Sequence, residues 1–511
     1  MQKDYIGIII STEESPSTSE FSFVLNPNNE NIVKKGQYVQ SDGEQGVIFG
    51  YIHEIYRANR YFERAESVAE YERIGSFDEN FPTQNWEHVI AETKILGTFQ
   101  NEKLFRTFSP PKPGKRIFSA NEDLLKKFLG FEQGELNLGK LQNHNLQATL
   151  GLTKLLQKHI AILAMSGAGK SHFASVLLEE ILLREKEKGR ISIIVVDIHG
   201  EYLGFAQDQK YSGKVKVVEG SNIKIPFRNL DSSMILEWFP RITDFGKFLI
   251  SDIIYEMKKE MKAERKNYSL SDLLERIENY QTKGYKAQEN VKNPIKRAVL
   301  ELKKIKLISK NENPRLIDDI SSGKMLILDL SSIDDMKKKR MIVAYFGRKL
   351  FSLRKKEKIP PFLFLVEEAH NFATEKLERS SNISKPIIEK IAREGRKFGA
   401  CLGLISQRPV NLSTTALSQC NTHVILRITN PNDIQHIGES CEGLDVRMLK
   451  NITSLRVGEA IIVGEAVKHP IFLDVRDRNS KKIERGEPLC QQALKYEKSL
   501  EKKKNDAEAF L

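Results

Sequence analysis

The stretch that most constrains this chain is HIAILAMSGAGKSHFAS, residues 159–175. Ile160 to Ala164 is an apolar run that reads as a buried strand. Ser166-Gly167-Ala168-Gly169 is a turn of small residues, and Lys170 and Ser171 open a helix carrying Phe173, Val176, Leu177 and Leu178. Strand, glycine-rich loop and helix in this order is what a phosphate-binding loop requires. Small residues let backbone N–H groups converge on phosphate oxygens, and the helix N-terminus adds partial positive charge. Lys170 is placed to reach β- and γ-phosphates, and Ser171 to offer its hydroxyl to Mg²⁺. Alanine stands at position 164, where the usual pattern has its first glycine. That residue ends the strand, where a Cβ is tolerated.

The texture of the chain changes along its length. Residues 1–105 carry short β-rich runs (Tyr5–Ile10, Phe21–Leu25, Gln37–Gln40, Gly46–Ile55, Val89–Phe99) separated by Gly, Asn, Asp and Pro clusters. Their alternation predicts half-buried antiparallel strands and a small β-barrel, with a helical insertion near 61–72. Residues 106–150 read as a connector, beginning with the proline-rich, basic PPKPGKRIF. From 151 to 475 apolar strands alternate with long helices: Ile160–Ala164, Ile191–Val196, Val215–Val218, Met325–Leu330, Phe362–Val366, Ala400–Ile405 and Val424–Ile428. This predicts an α/β core, a mainly parallel sheet with helices on both faces. A Lys- and Glu-rich stretch at about 228–312 reads as an inserted helical subdomain, and 476–511 as a charged tail.

Lys plus Arg number 80 against 68 for Asp plus Glu, a basic excess that favours a polyanionic partner. The four cysteines have no C-x-x-C spacing. That argues against a zinc site or a disulfide framework and fits a reducing cytoplasm. Nowhere is there the run of about 18 apolar residues that a membrane-spanning helix needs.

Three further motifs carry chemistry. FLFLVEEAHNF places Glu367 and Glu368 at the C-terminal end of a buried strand, where ligands bind in open α/β sheets. Glu367 is assigned to the metal and Glu368 to the attacking water. VVDIHGEY puts Asp197, His199 and Glu201 after a strand expected beside the phosphate-loop strand. These residues either face the nucleotide or form a capping Asp and a glycine turn; the sequence supports both. IAREGRKFGACLGLISQRP gives a helix a buried face through Ile387, Ile388 and Ile391, leaving Arg393, Arg396 and Lys397 exposed. Gln407, at the end of the following strand, is placed to sense the γ-phosphate. An exposed arginine at a packed helix end suits insertion into a neighbouring subunit's site. For Arg396 and Lys397 a solvated helix end facing its own dipole is an equal reading.

Taken together, KHIAILAMSGAGKS, VVDIHGEY, GKMLILDLS, FLFLVEEAHNF, IAREGRKFG, LISQRP, RITNPND and LRVGEAIIVG resemble the HerA family of hexameric DNA translocases. The resemblance implies a RecA-like P-loop ATPase core behind a small N-terminal barrel. It implies ATP and Mg²⁺, a homo-hexameric ring on double-stranded DNA, and a NurA-type nuclease partner in end resection at double-strand breaks. Residue by residue it implies a loop from Ser166 through Gly167, Ala168, Gly169, Lys170 and Ser171 to His172, Glu368 as base, Gln407 as sensor and Arg393 as an arginine finger in trans. It also implies a phosphate contact from Lys158, and nucleotide contacts from Arg476 and Arg478 where the family's C-terminal segment folds back. An alternative from related bacterial proteins is a nucleotide-regulated ring scaffold for an antiviral effector.

Overall fold

The computed structural model describes residues 5–12, 15–59, 62, 66, 86–101, 103–264, 267–282, 285–286, 289–376, 381–441, 443–483 and 488–508. The expected insertion at 61–72 lies largely outside them.

An 11-stranded sheet forms the core, in the order Val215–Glu219, Met325–Asp329, Ser192–Asp197, Phe362–Val366, Ala400–Ser406, Ile160–Leu163, Thr422–Ile425, Glu459–Gly464, Ile471–Val475, Leu136–Leu141 and Gln147–Leu150. The strands from Val215–Glu219 to Thr422–Ile425 run parallel. The remaining four extend the sheet antiparallel. Parallel strands covered on both faces need apolar side chains at every position. Ile160, Ala161, Ile162 and Leu163 meet that demand and are fully buried.

Two expectations change here. The strand leading to Asp197 does not neighbour the phosphate-loop strand; Phe362–Val366 and Ala400–Ser406 lie between them. Residues 106–150 are not a plain connector. Arg116–Ser119 is a barrel strand, and Leu136–Leu141 with Gln147–Leu150 forms the far end of the core sheet. The core therefore begins at Leu136 rather than at 151. Sequence alone misses this because the hairpin NLGKLQNHNLQATL is short and polar at its turn.

The N-terminal sheet closes on itself. Its order is Glu20–Leu25, Gly7–Ile10, Arg116–Ser119, Tyr38–Gly43, Gly46–Asn59 and Glu87–Gln100, with Glu20–Leu25 pairing back onto Glu87–Gln100. Lys103–Phe105 adds a short edge strand. Closure removes the exposed edges that an open sheet of this size would present. Phe23, Val39, Ile52, Ala91 and Ile117 fill one interior cluster. Tyr38, Tyr51 and Phe49 join the hydrophobic core of the 11-stranded sheet instead; Tyr51 stacks on Phe472 at 5.3 Å.

Between Val215–Glu219 and Met325–Asp329 the chain makes the helices Ser232–Trp238, Asp244–Glu264, Leu270–Glu278 and Glu289–Ile305. Ser269 and Asp272 form a capping box at the start of the third. The insertion is closed at its neck, where Ile225–Pro226 pairs with Ile308–Ser309. The last helix, Leu489–Glu508, is charged along its length.

Candidate nucleotide site

The loop after Ile160–Leu163 is shaped by two glycines in the left-handed region, Gly167 at φ +76° and Gly169 at φ +102°. Side chains resist this conformation. Helix Lys170–Leu183 follows with Gly169 at its N-cap and no side-chain capping hydrogen bond. Its first N–H groups are therefore available to an anion, and the dipole favours one. Ala168 is buried, whereas Ser166 and Gly167 are exposed. Ala164 is fully buried and its N–H donates to the Ser406 carbonyl at 3.2 Å, which explains why a Cβ is accommodated there. An uncapped helix end, two left-handed glycines and Lys170 are the donor set that a triphosphate needs, with the Ser171 hydroxyl at its edge for Mg²⁺.

Lys170 Nζ donates to Glu368 Oε1 at 2.9 Å, and both side chains are nearly buried. The other oxygen, Glu368 Oε2, accepts no hydrogen bond and faces His370 Nδ1 at 3.3 Å. His370 Nδ1 also lies 3.1 Å from Ser406 Oγ. Burial pushes the His370 pKa down, so the ring is a neutral hydrogen-bonding partner near neutral pH. Glu368 itself stands at φ +46°, a strained position for a residue with a side chain. Strain of this kind turns the carboxylate out of the strand direction toward the phosphate loop. Gln407 lines the same cleft of about 430 Å³ with Glu368, His370, His199 and Asn371. Arg340 braces the turn: its Nε donates to the Asn371 carbonyl at 2.8 Å and its Nη1 to the Ser381 carbonyl at 3.1 Å.

Glu367 does something else. Its Oε2 accepts from the N–H groups of Ile198 at 3.0 Å and His199 at 3.4 Å. Those residues follow Ser192–Asp197, which lies on the side of Phe362–Val366 away from the phosphate loop. Burial, then the Asp197 and Glu201 carboxylates, hold Glu367 well above the usual carboxylate range. Buried and engaged by backbone N–H groups on the side of its strand away from the phosphate loop, Glu367 is held in this structure by the segment after Asp197 rather than turned to the loop. Asp197 accepts from the N–H groups of Gly200, Glu201 (3.1 Å) and Tyr202 (3.0 Å), so it holds the glycine turn after its strand, while the next helix, Gly204–Gln207, has Leu203 at its N-cap. Of that motif, His199 alone lines the cleft.

The C-terminal segment does fold back onto the phosphate-loop helix, and His172 Nε2 lies 2.9 Å from the Arg476 carbonyl. The arginines there are nevertheless occupied. Arg476 donates to Glu179 and Glu180, each at 2.8 Å, and to the Asn137 carbonyl at 3.1 Å. Arg478 donates to Ser480 and to the Lys481 carbonyl. Glu179, fully buried, also accepts from the N–H groups of Asn479 and Ser480. Both arginines thus act as braces, which corrects the expected nucleotide contact.

Lys158 and Arg393 stand at the opposite, N-terminal ends of the central strands. Lys158 precedes Ile160–Leu163, so a whole strand of roughly 3.3 Å per residue separates it from its own loop. Its Nζ pairs with Glu465 at 2.5 Å. A phosphate contact within its own subunit is therefore excluded. Arg393 is the penultimate residue of helix Lys385–Glu394, whose following turn enters strand Ala400–Ser406 at its N-terminal end. Its side chain is 52% exposed and pairs loosely with Glu389 at 3.7 Å. Arg396 and Lys397 are exposed beside it.

Sequence reasoning missed His370, Ser406 and Arg340. His370 was visible two places after Glu368 in VEEAHNF, but nothing in the pattern gives its orientation. Arg340 hides in the charged run MKKKR.

Strand order, phosphate loop and the Lys170–Glu368 pair define the class: a P-loop ATPase on a RecA-like sheet. Residues 136–350 match the description "Helicase HerA, central domain", and residues 6–101 match "HAS barrel domain". A probable helicase of Methanocaldococcus jannaschii is 31% identical over 467 residues, covering 86% of each chain. The DNA double-strand break repair helicase HerA of Pyrococcus furiosus is 28% identical, covering 93% of this chain and 92% of that one. Among solved structures, VirB4 of Thermoanaerobacter pseudethanolicus superposes with TM-score 0.52 at 16% identity, over 68% of this chain and 98% of that one. The plasmid coupling protein TrwB superposes with TM-score 0.50 at 12% identity, over 72% and 95%. The chain belongs to the HerA helicase family and is an ATP-hydrolysing enzyme of the helicase class. Among the described residues no helix is long and apolar enough to cross a membrane.

Proposed function

We propose that this protein is a homo-hexameric translocase on double-stranded DNA, with each ATP clamped at a seam between two protomers. One observation carries the reading: the base and the exposed arginine sit at opposite ends of adjoining strands of one sheet. Glu368 follows the C-terminal end of Phe362–Val366, and Arg393 lies beside the N-terminal end of the adjoining strand Ala400–Ser406. Strands of five and seven residues keep them apart by roughly 15 Å or more. A protomer therefore cannot bring its own arginine to its own phosphates, whereas an adjoining protomer can.

In this reading the loop N–H groups, Lys170 and Ser171 bind and orient the triphosphate. The Ser171 hydroxyl would hold a Mg²⁺ ion, which when bound would supply charge neutralisation to the phosphates. Glu368 Oε2 takes the proton of the attacking water, with His370 and Ser406 fixing the neighbouring polar surface. Gln407 orients that water, and Arg393 of the next protomer neutralises charge developing on the transferred phosphoryl group. A phosphate entering the loop competes with Glu368 for the Lys170 ammonium, so nucleotide binding itself frees the base. The basic excess serves sequence-independent, salt-sensitive contact with the DNA backbone. Family membership supports pairing with a NurA-type nuclease in end resection.

The test is DNA-stimulated ATP hydrolysis combined with native mass measurement. Lys170→Ala is expected to lose nucleotide binding, Glu368→Gln to bind without turnover, and Arg393→Ala to bind normally but not turn over. Full activity in all three refutes the assignment. Hexamers whose hydrolysis ignores DNA would point to the scaffold function instead.

A further inference from the structure

We infer that His159 is a positioning residue that aims Arg393 at the neighbouring protomer's phosphates by tying its helix to the strand that ends in Gln407. The inference rests on the trans reading of Arg393 and adds what holds that arginine in place.

The geometry is specific. His159 is 1% exposed and sits immediately before the phosphate-loop strand at φ +65°. Its Nδ1 lies 2.9 Å from the Leu402 N–H, which donates to it. Nδ1 must therefore be bare, and the ring proton is on Nε2. Nε2 donates to the Ala392 carbonyl at 2.9 Å. Ala392 is the residue before Arg393, two residues short of the helix end at Glu394. Leu402 lies in Ala400–Ser406, the strand whose far end delivers Gln407. One imidazole thus fixes the distance between the element that presents the cis glutamine and the element that presents the trans arginine.

Two further features point the same way. Gly395, in the turn after the helix, packs so closely that an added Cβ would lie 2.3 Å from the Ala400 carbonyl and 3.2 Å from His159 Cε1. The helix end is therefore seated on the imidazole with no room for a different approach. Burial also pushes the His159 pKa down to about 4, so the single-proton form that makes both bonds is the one present at neutral pH. A histidine needed only for core packing has no reason to stand in left-handed backbone with one nitrogen on the finger helix and the other on the sensor strand.

The experiment separates the two bonds. In His159→Asn the side-chain oxygen falls near Nδ1 and keeps the Leu402 bond, while the donor to Ala392 is lost. Asparagine also tolerates positive φ. In His159→Gln the amide reaches the Nε2 position and keeps the Ala392 bond. His159→Asn is expected to bind ATP within twofold of wild type, with unchanged KM and a kcat lowered roughly 10–100-fold, the size of effect that a misplacement near 1 Å produces. His159→Gln is expected to recover most of that loss, and adding His159→Asn to Arg393→Ala to lose nothing more. Mixed rings provide a second readout that folding defects do not mimic. His159→Asn subunits mixed with Glu368→Gln subunits regain turnover, because intact bases then face intact arginines. Mixed with Arg393→Ala subunits they do not. Wild-type kcat in His159→Asn alongside an inactive Arg393→Ala overturns the positioning role and leaves the trans arginine standing. Wild-type kcat in Arg393→Ala removes the reading on which it rests. Equal losses in the Asn and Gln variants, with no rescue by Glu368→Gln subunits, would also overturn it.

Discussion

The two ends of the central strands differ in how their charged groups are satisfied. Around the phosphate loop several charges have partners within the chain: Lys170 on Glu368, Glu367 on the backbone after Ser192–Asp197, Arg476 on Glu179 and Glu180. At the opposite end Arg393, Arg396 and Lys397 are exposed, and Arg393 has one loose partner. In the proposed reading the first end receives the nucleotide and the second is completed by a neighbouring protomer. Burial is what separates them. A buried unpaired charge is costly, so the buried end pairs its groups, whereas exposed cations are stable in water and free to be recruited.

If this contrast is right, the outward end holds the most sensitive position. Arg393→Ala is expected to lower DNA-stimulated kcat by about 10³–10⁵ while ATP affinity in a filter-binding or fluorescence titration stays put. A loss of affinity instead would merge the two ends into one site. At the inward end Glu368→Gln is expected to cost about 10²–10⁴ in kcat, read in single-turnover hydrolysis. Arg476→Ala, by the same logic, is a stability variant. Leaving the fully buried Glu179 without its cation is expected to cost about 3 kcal/mol in denaturant unfolding, with kcat within a few-fold. A selective loss of nucleotide affinity in Arg476→Ala would restore the contact that the structure assigns to bracing.

Acid provides a smaller, distributed effect. Burial pushes His144, His159, His423 and His469 down to about 4, below the 6.5 of an unfolded histidine. Between those values the unfolded chain binds protons that the folded chain does not, so stability falls as pH drops from about 6.5 toward 4 and is unaffected above. Thermal unfolding at pH 7.5 and pH 5 checks this, and a Tm that rises on acidification contradicts it. Last, Arg396→Ala or Lys397→Ala is expected to change hydrolysis by less than about twofold, since exposed charges beside a helix end contribute little.

Much of this was legible in the sequence because the chemistry depends on local order. HIAILAMSGAGKS dictates a strand, a loop that needs left-handed glycines and an uncapped helix, and the structure has all three. The helix bearing Arg393 announced its buried face through Ile387, Ile388 and Ile391. What depended on strand order was not legible. Glu367 and Glu368 are adjacent in the chain, and only the placement of Ser192–Asp197 beyond Phe362–Val366 decides that one turns away from the phosphate loop and the other toward it. The same holds for Lys158 and Arg476, whose partners Glu465 and Glu179 lie on segments far away in the sequence; Arg478 instead bonds locally to Ser480, a turn geometry that residue type alone does not give. The polar hairpin at Leu136–Leu150 escaped because its pairing partner, Ile471–Val475, lies more than 300 residues away.

The most direct test mixes two inactive proteins. Glu368→Gln subunits retain Arg393, and Arg393→Ala subunits retain Glu368, so a seam between them can hold one intact base opposite one intact arginine. DNA-stimulated ATP hydrolysis measured across mixing ratios, with native mass spectra confirming mixed rings, is predicted to rise from near zero at either pure end to a maximum near equal amounts. Hydrolysis that stays at baseline at every ratio, in rings shown to contain both variants, would contradict a site completed by the adjoining protomer.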